Sequence, residues 1–462
     1  MSVESLSRSN SPWFFLDFKV LKTILMIAIP ITLQTILFSS KGLTDIMMIG
    51  QLSEDNLAAM GVAGRALFVA IIVLSGVSTG GAMLAAQYFG ANNYRGVTSS
   101  VALTWVISTA VAMLPMGLFW FLGDWVIGLS SQSSEIQALG HEYLKLAGLS
   151  LFFVAFSGAI AAGLRSVHQA GLSTWFSGLG IVLNLFFNWV FIFGNLGAPE
   201  LGLKGAAVAT VLSSLIEVLV TIGYLASRKH MLAFTLSDVL SALQIAKIKR
   251  FVSLALPTTL NFLLWAGGLF AYTAIMGKTG DQGLVVLSVI TPIEAFSLSF
   301  LTGIANASAV IVGNQLGAKN DEAAYSQAVG FVIIAIAITV FVAVALYLLR
   351  DPILGLFVGI EEDTYLLAEK FYLILCIGII LRSLPTTMVV GVLRAGGDVK
   401  FCLYQDLTTQ WLFGIPLAAL GALVLGLSPD KVFALFFLET LFKWFACVYR
   451  FRSRKWINHL AK

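Results

Sequence analysis

The stretch IAIPITL at residues 27–33 returns as LALPTTL at residues 254–260, with Pro30 facing Pro257 at an offset of 227. Outward from it, QYFGANN at 87–93 matches NQLGAKN at 314–320 at the same offset. Further on, Gly163-Leu164-Arg165-Ser166 matches Val392-Leu393-Arg394-Ala395, with the arginines 229 apart. Ordered markers at nearly constant spacing mean an internal duplication, so the chain reads as two related halves.

The halves are built for lipid. Of 462 residues, 58% are hydrophobic and 11% charged, less than half the ~25% charge of an average soluble domain. A ~30 Å hydrocarbon core takes roughly 20 helical residues. Apolar runs of that length fall at 21–48, 56–88, 98–123, 137–163, 174–194, 203–226, 251–276, 283–315, 324–349, 364–393, 401–425 and 432–450. The second and eighth are long enough to tilt or bend. The expected fold is an all-α integral membrane protein of about twelve transmembrane helices, in two pseudo-symmetric six-helix bundles around a central cleft. The expected segments are an N-terminal stretch 1–20, a bundle 21–226, a linker 227–250, a second bundle 251–450 and a basic tail 451–462. With six spans each, both halves start on the same side of the membrane. They are therefore parallel repeats, a geometry suited to rocking-type alternating access.

Loop charges set the orientation. With the N-terminus inside, eighteen Lys and Arg fall on the inner segments, against Lys204, Lys278, Arg350 and Lys431 outside. By the positive-inside rule both termini are cytoplasmic, in a plasma (inner) membrane. The net charge of +4 is spent on topology, and nucleic acid is not an expected partner. The linker carries Leu232, Phe234, Leu236, Val239, Leu240, Leu243 and Ile245 ahead of a basic cluster, and reads as an amphipathic segment on the cytoplasmic face. Residues 1–18 lack a short apolar core and a small-residue cleavage site, so no cleavable signal is expected, and Trp13, Phe14 and Phe15 read as an interfacial anchor. Cys376, Cys402 and Cys447 have no metal-ligand spacing and read as small core residues.

The markers coincide with a family pattern. Pro30, Gln34 and Asp45-Ile46-Met47-Met48-Ile49-Gly50 resemble the first span of the multidrug and toxic compound extrusion (MATE) family. Ala85-Ala86-Gln87 with Phe89-Gly90-Ala91 is similar to its second-span signature, and Asn184-Leu185-Phe186-Phe187-Asn188-Trp189 with Gly205-Ala206-Ala207-Val208-Ala209-Thr210 to its fifth and sixth spans. The resemblance runs from about residue 20 to 450. It implies efflux of varied, often cationic amphipathic small molecules by a monomer, driven by inward H⁺ or Na⁺ without a cofactor.

Asp45 is the expected coupling residue, because a carboxylate inside a span is costly and by default functional. The resemblance adds Asn184, Asn188 and Thr210 as its partners. Asn184 and Asn188, four residues apart, share one helix face and offer hard oxygens; with Asp45 they form the metal set only if the ion is Na⁺. Many relatives carry Asp at the Asn188 position, so this site has less negative charge. Lys41, one turn before Asp45, is outside the family pattern and reads either as an ion-pair partner of Asp45 or as a side chain snorkelling to water. Where Na⁺-coupled relatives carry second-half acids, this chain has Trp265 and Ser383, and the repeat-mate of Asp45 is Tyr272. Coupling through the first half alone, with H⁺ preferred, is the economical expectation.

Candidates for the substrate cleft are Gln34, Arg65, Trp265, Tyr272 and Glu294, with Phe38, Met47 and Phe270 as further soft apolar contacts. Glu217 and Arg382 complete the embedded charges recognised from the sequence, each read as paired or facing water. No Walker A or H-E-x-x-H sequence occurs, and His141, His168, His230 and His459 lie at span ends or loops, so an enzyme is not expected. The competing reading is a flippase for lipid-linked precursors, which expects more basic residues in the cleft.

Overall fold

Long apolar runs with few internal breakers leave the backbone one way to satisfy its polar groups in lipid, the helix. The computed structural model describes residues 11–129, 133–355 and 362–461, and among them no strand occurs. Residues 1–10, half of the expected N-terminal stretch, lie outside the described residues.

The first half contains α1 (Phe18–Ile49), α2 (Glu54–Gly90), α3 (Tyr94–Gly128), α4 (Ser134–Ala147), α5 (Ser150–Ser166), α6 (Ala170–Phe193) and α7 (Gly202–Ser227). A short α8 (Leu236–Ala242) leads to α9 (Ile245–Gly277), α10 (Asp281–Gly317), α11 (Asp321–Leu348), α12 (Arg350–Leu354), α13 (Glu362–Thr386), α14 (Val399–Asp406), α15 (Ile415–Ala419) and α16 (Pro429–Arg452). Eleven of the described helical spans are long and apolar enough to cross a membrane, and α4 with α5, bent by 45°, makes a twelfth. The fourth expected span is thus a broken one. The second and eighth, α2 and α10, run 37 residues each as single helices. The tenth and eleventh are the irregular ones, carrying π-helical turns at Thr387–Leu393, Leu407–Gly414 and Leu420–Val424. The first follows Pro385, which has no N–H to give the helix ladder.

The connection between halves is shorter than expected, because α9 starts at Ile245. Within it Thr235 and Asp238 form a capping box at the start of α8. The Thr235 backbone N–H, then its hydroxyl, hold the Asp238 carboxyl below the usual aspartate value. Leu232 is buried and Phe234 packs on the same core, whereas Leu236, Leu240 and Ile245 are exposed.

The chain forms two compact units, Leu33–Thr259 and Met1–Thr32 with Leu260–Lys462. The division falls inside α1 and α9, two residues past Pro30 and Pro257, and not in the connection at 227–250 where the sequence reading put it. Each unit has its own apolar core: Ile49, Leu74, Ile127, Leu144 and Leu151 in one, Met276, Ile290, Phe371, Tyr372 and Phe433 in the other.

One close contact occurs twice, at repeat-related places. Gly76 of α2 lies against Thr259 of α9, where a methyl would stand 2.5 Å from the threonine Cα. Gly303 of α10 lies against α1, where a methyl would stand 2.7 Å from the Ala28 carbonyl oxygen and would collide with Thr32. Both residues of each pair differ by 227 from their counterparts. Small residues let membrane helices approach this closely, and in each unit the glycine receives the helix segment just past the proline.

Candidate functional site

The end of α1, the middle of α6 and the start of α7 meet through polar side chains within the Leu33–Thr259 unit. Asn188 Nδ2 donates to Asp45 Oδ1 at 2.6 Å and, at 3.4 Å, to Asn184 Oδ1. Asn184 Nδ2 donates to Thr210 Oγ1 at 3.3 Å, and that hydroxyl donates to the Ala206 carbonyl at 2.9 Å. Asn184 and Asn188 are fully buried, while Asp45 is half-buried. The four residues the sequence grouped are therefore one hydrogen-bonded chain across three helices. Its open valences are the second Asp45 oxygen and Asn188 Oδ1, which is buried without a hydrogen-bond partner. Tyr143 of α4, which the sequence did not single out, lies within electrostatic range of Asp45.

Magnitudes set the scale for this chain. An interhelical hydrogen bond in a membrane contributes ~0.6 kcal/mol on average and about 1.7 at most. A carboxylate at mid-membrane costs ~2.5–3.5 kcal/mol on insertion scales. Asp45 stands about one turn from the end of α1 and is half-buried, so its own cost is below that mid-span figure, of which one amide bond offsets a part.

Lys41 makes no ion pair with Asp45 within 4.0 Å, the nearest charged relation being electrostatic, to Asp45 and to Glu217. Gln34 Nε2 donates to Ser177 Oγ of α6 at 2.8 Å. The Gln34–Ser177 and Asp45–Asn188 bonds have the same separation of 143 residues. These parts of α1 and α6 therefore run parallel and in register over eleven residues, about 16 Å.

The other expected residues are dispersed. Arg65 and Trp265 are exposed. Glu294 pairs with Arg382, whose guanidinium also lies over the Phe437 ring. Tyr272 is buried against Phe436 and donates to Glu439 Oε2 at 2.5 Å, so it is part of its unit's core. His141 bonds Asp124 and His230 bonds Gln169, and among the described residues no group of three or more His, Cys, Asp or Glu is placed to hold a metal.

The set of embedded charges recognised from the sequence was incomplete. In the other unit Arg394 Nη2 donates to Asn261 Oδ1 at 2.6 Å, and Asn261 Nδ2 to Asp406 Oδ2 at 2.7 Å. Lys443 Nζ lies 2.9 Å from Asp406 Oδ1 and 3.2 Å from Glu439 Oε1, and Glu439 takes the Tyr272 hydroxyl. Two acids and two bases thus balance in a buried chain of six side chains. The signal was in the sequence: Glu439 and Lys443 are an i,i+4 pair of opposite charge inside an apolar span.

The sequence profile of the MatE family matches residues 30–190 and again 257–420, one match in each half. The "Uncharacterized transporter YisQ" of Bacillus subtilis is 25% identical, with 93% of each chain covered. A "Probable multidrug resistance protein NorM" of Bradyrhizobium diazoefficiens is 28% identical over 93% of this chain and 92% of that one. Among solved structures, an outward-facing multidrug resistance MATE family transporter superposes with a TM-score of 0.86 at 20% identity over 98% of both chains. A MOP superfamily transporter from Pyrococcus furiosus, described as having a binding pocket of reverse polarity, superposes with a TM-score of 0.84 at 19% identity over 100% of this chain and 99% of that one. At those identities the superpositions speak for the fold, and the twice-matching profile for the lineage: the chain belongs to the MatE family of membrane transporters.

Proposed function

We propose that the protein is a multidrug exporter that exchanges inward-moving protons for cationic amphipathic compounds, with Asp45 as the carboxylate that carries the proton. The observation behind this is the Asp45–Asn188–Asn184–Thr210 chain, an intramembrane acid at the end of a hydrogen-bonded chain across three helices. At Asp45 a single carboxylate with Lys41 in electrostatic range offers a metal ion only one anionic ligand, whereas a proton needs no more than one. The unit bearing Asp45 then rocks against its partner as the acid is loaded and emptied, working as a monomer in the plasma membrane with both termini inside.

Na⁺ is the second reading, favoured by the unpartnered Asn188 Oδ1 beside Asp45. A precursor flippase is disfavoured because the buried Arg394 and the half-buried Lys443 and Arg382 are already committed to amides or acids.

The test is ethidium efflux from proteoliposomes with pH and Na⁺ gradients imposed separately. Efflux is expected to follow the pH gradient and to fall to the protein-free background in Asp45→Asn. Efflux answering to Na⁺ alone selects the second reading. Efflux answering to neither gradient, or a fully active Asp45→Asn, overturns both.

A further inference from the structure

Glu217 of α7 has no place in the coupling site just described, yet it lies in the same unit. It lines a small pocket with Ser157 and Ile160 of α5, Ser173 and Ser177 of α6, and Thr221. Its carboxyl bonds Ser157 and lies over Gly180, where a methyl would collide with Oε2. Among the described residues no ion pair within 4.0 Å reaches it, and the Ser173 hydroxyl in the pocket wall is buried without a partner. A carboxylate in this setting needs a counter-charge or a proton.

The register of α1 on α6 says where the counter-charge comes from. With partners 143 residues apart, Asp45 stands opposite Asn188, Lys41 opposite Asn184, and Leu37 opposite Gly180, over which Glu217 lies. Lys41 is therefore midway between the two acids, roughly 6 Å along the helix axis from the level of each. A lysine's flexible four-carbon stem spans that distance. Its bond from Cα tilts towards the helix N-terminus, the side of Glu217. The neutral groups facing the two acids are Asn188 and Tyr143 at Asp45 and Ser157 at Glu217, and Lys41 is the cation in range of both.

The other unit shows the same place filled. The counterpart of Gln34–Ser177 is Asn261–Asp406, at offsets of 227 and 229, and there Lys443 is seated on the acid at 2.9 Å. Unit Leu33–Thr259 has an acid and a pocket at this place, with its ammonium one turn away on α1.

We infer that Glu217 is a second coupling carboxylate, and that the Lys41 ammonium is a shared counter-ion which moves to Glu217 when Asp45 releases its claim by taking a proton, and returns to Asp45 when that proton leaves. Two acids and one ammonium carry one uncompensated negative charge, so the pair holds one proton. Proton arrival at Asp45 is thereby turned into a new tie between α1 and α7. The inference rests on Asp45 being the coupling acid.

The experiment measures the pH of half-maximal ethidium efflux in proteoliposomes. In Glu217→Gln the ammonium is left to Asp45 alone, and the midpoint should move to acid by about one pH unit. In Lys41→Gln it should move to alkali. The double variant should behave as Lys41→Gln, since Glu217 acts through the lysine, and Glu217→Asp, which keeps the charge, should restore the original profile. A Glu217→Gln that fails to give a monodisperse protein leaves Lys41→Gln and Glu217→Asp to carry the test. Unmoved midpoints, or a Glu217→Gln shift that persists undiminished without Lys41, overturn the inference. An inactive Asp45→Asn beside unmoved midpoints leaves the coupling proposal standing and removes this one alone. A fully active Asp45→Asn removes both.

Discussion

At the scale of single residues, the two units treat buried charge in opposite ways. Around Lys443 each acid has a base and each base an acid or amide, so removing one member strands the rest. Lys443→Met should therefore cost about 3–5 kcal/mol, the range for an uncompensated buried charge, and lower the midpoint of thermal unfolding in detergent; an unchanged midpoint would show the network to be idle. Asp45 lacks such a partner, and Asn188→Ala is expected to change stability by only ~1 kcal/mol while shifting coupling. Asp45 was legible because an acid stands out in an apolar span, whereas Asn184, Asn188 and Thr210 came to it through the family resemblance, and the structure adds that the four are hydrogen-bonded. Glu439 and Lys443 stood out equally, but a search aligned on the positions of known coupling acids passes over them. Tyr272, a cleft candidate in the sequence, lies buried in its unit's core, because a tyrosine's apolar ring and polar tip suit a core hydrogen bond as well as a ligand surface.

At the scale of elements, twelve spans follow from length and hydropathy, and their irregularities do not. The break at Gly148–Leu149 between α4 and α5 and the π turns of the tenth and eleventh spans depend on single residues such as Pro385, which window hydropathy averages away. The early start of α9 is similar: the polar residues Lys247, Lys249 and Arg250 suggest a loop, and the helix simply extends through them. The paired glycines are the sharpest constraint at this level. Gly76→Val and Gly303→Val should each destabilise by ~1–3 kcal/mol through overpacking, read as a lowered unfolding midpoint. Gly223→Val, on an exposed part of α7 with nothing near its Cβ position, should cost no more than about 0.5 kcal/mol. Equal effects at all three would show that the close approach is not what the glycines serve.

At the scale of the whole molecule, the duplication was legible from three short markers, and the family profile begins its two matches on the same prolines, Pro30 and Pro257. What the markers do not carry is the place where one unit ends, since the chain is apolar and helical on both sides of it. That place has a consequence for any attempt to halve the protein. A fragment ending at residue 235 keeps Met1–Thr32, which packs with the opposite unit, and lacks the start of α9 that its own unit needs. Neither fragment, 1–235 or 236–462, should give a monodisperse folded species alone, and the two together should restore efflux; a stable single fragment would contradict this. By the same division a half-length copy of this chain would not be self-sufficient: the part of its first helix up to two residues past the proline would have to be exchanged with a second copy in a homodimer. Tandem fusion makes such an exchange intramolecular, replacing a concentration-dependent encounter by a tether.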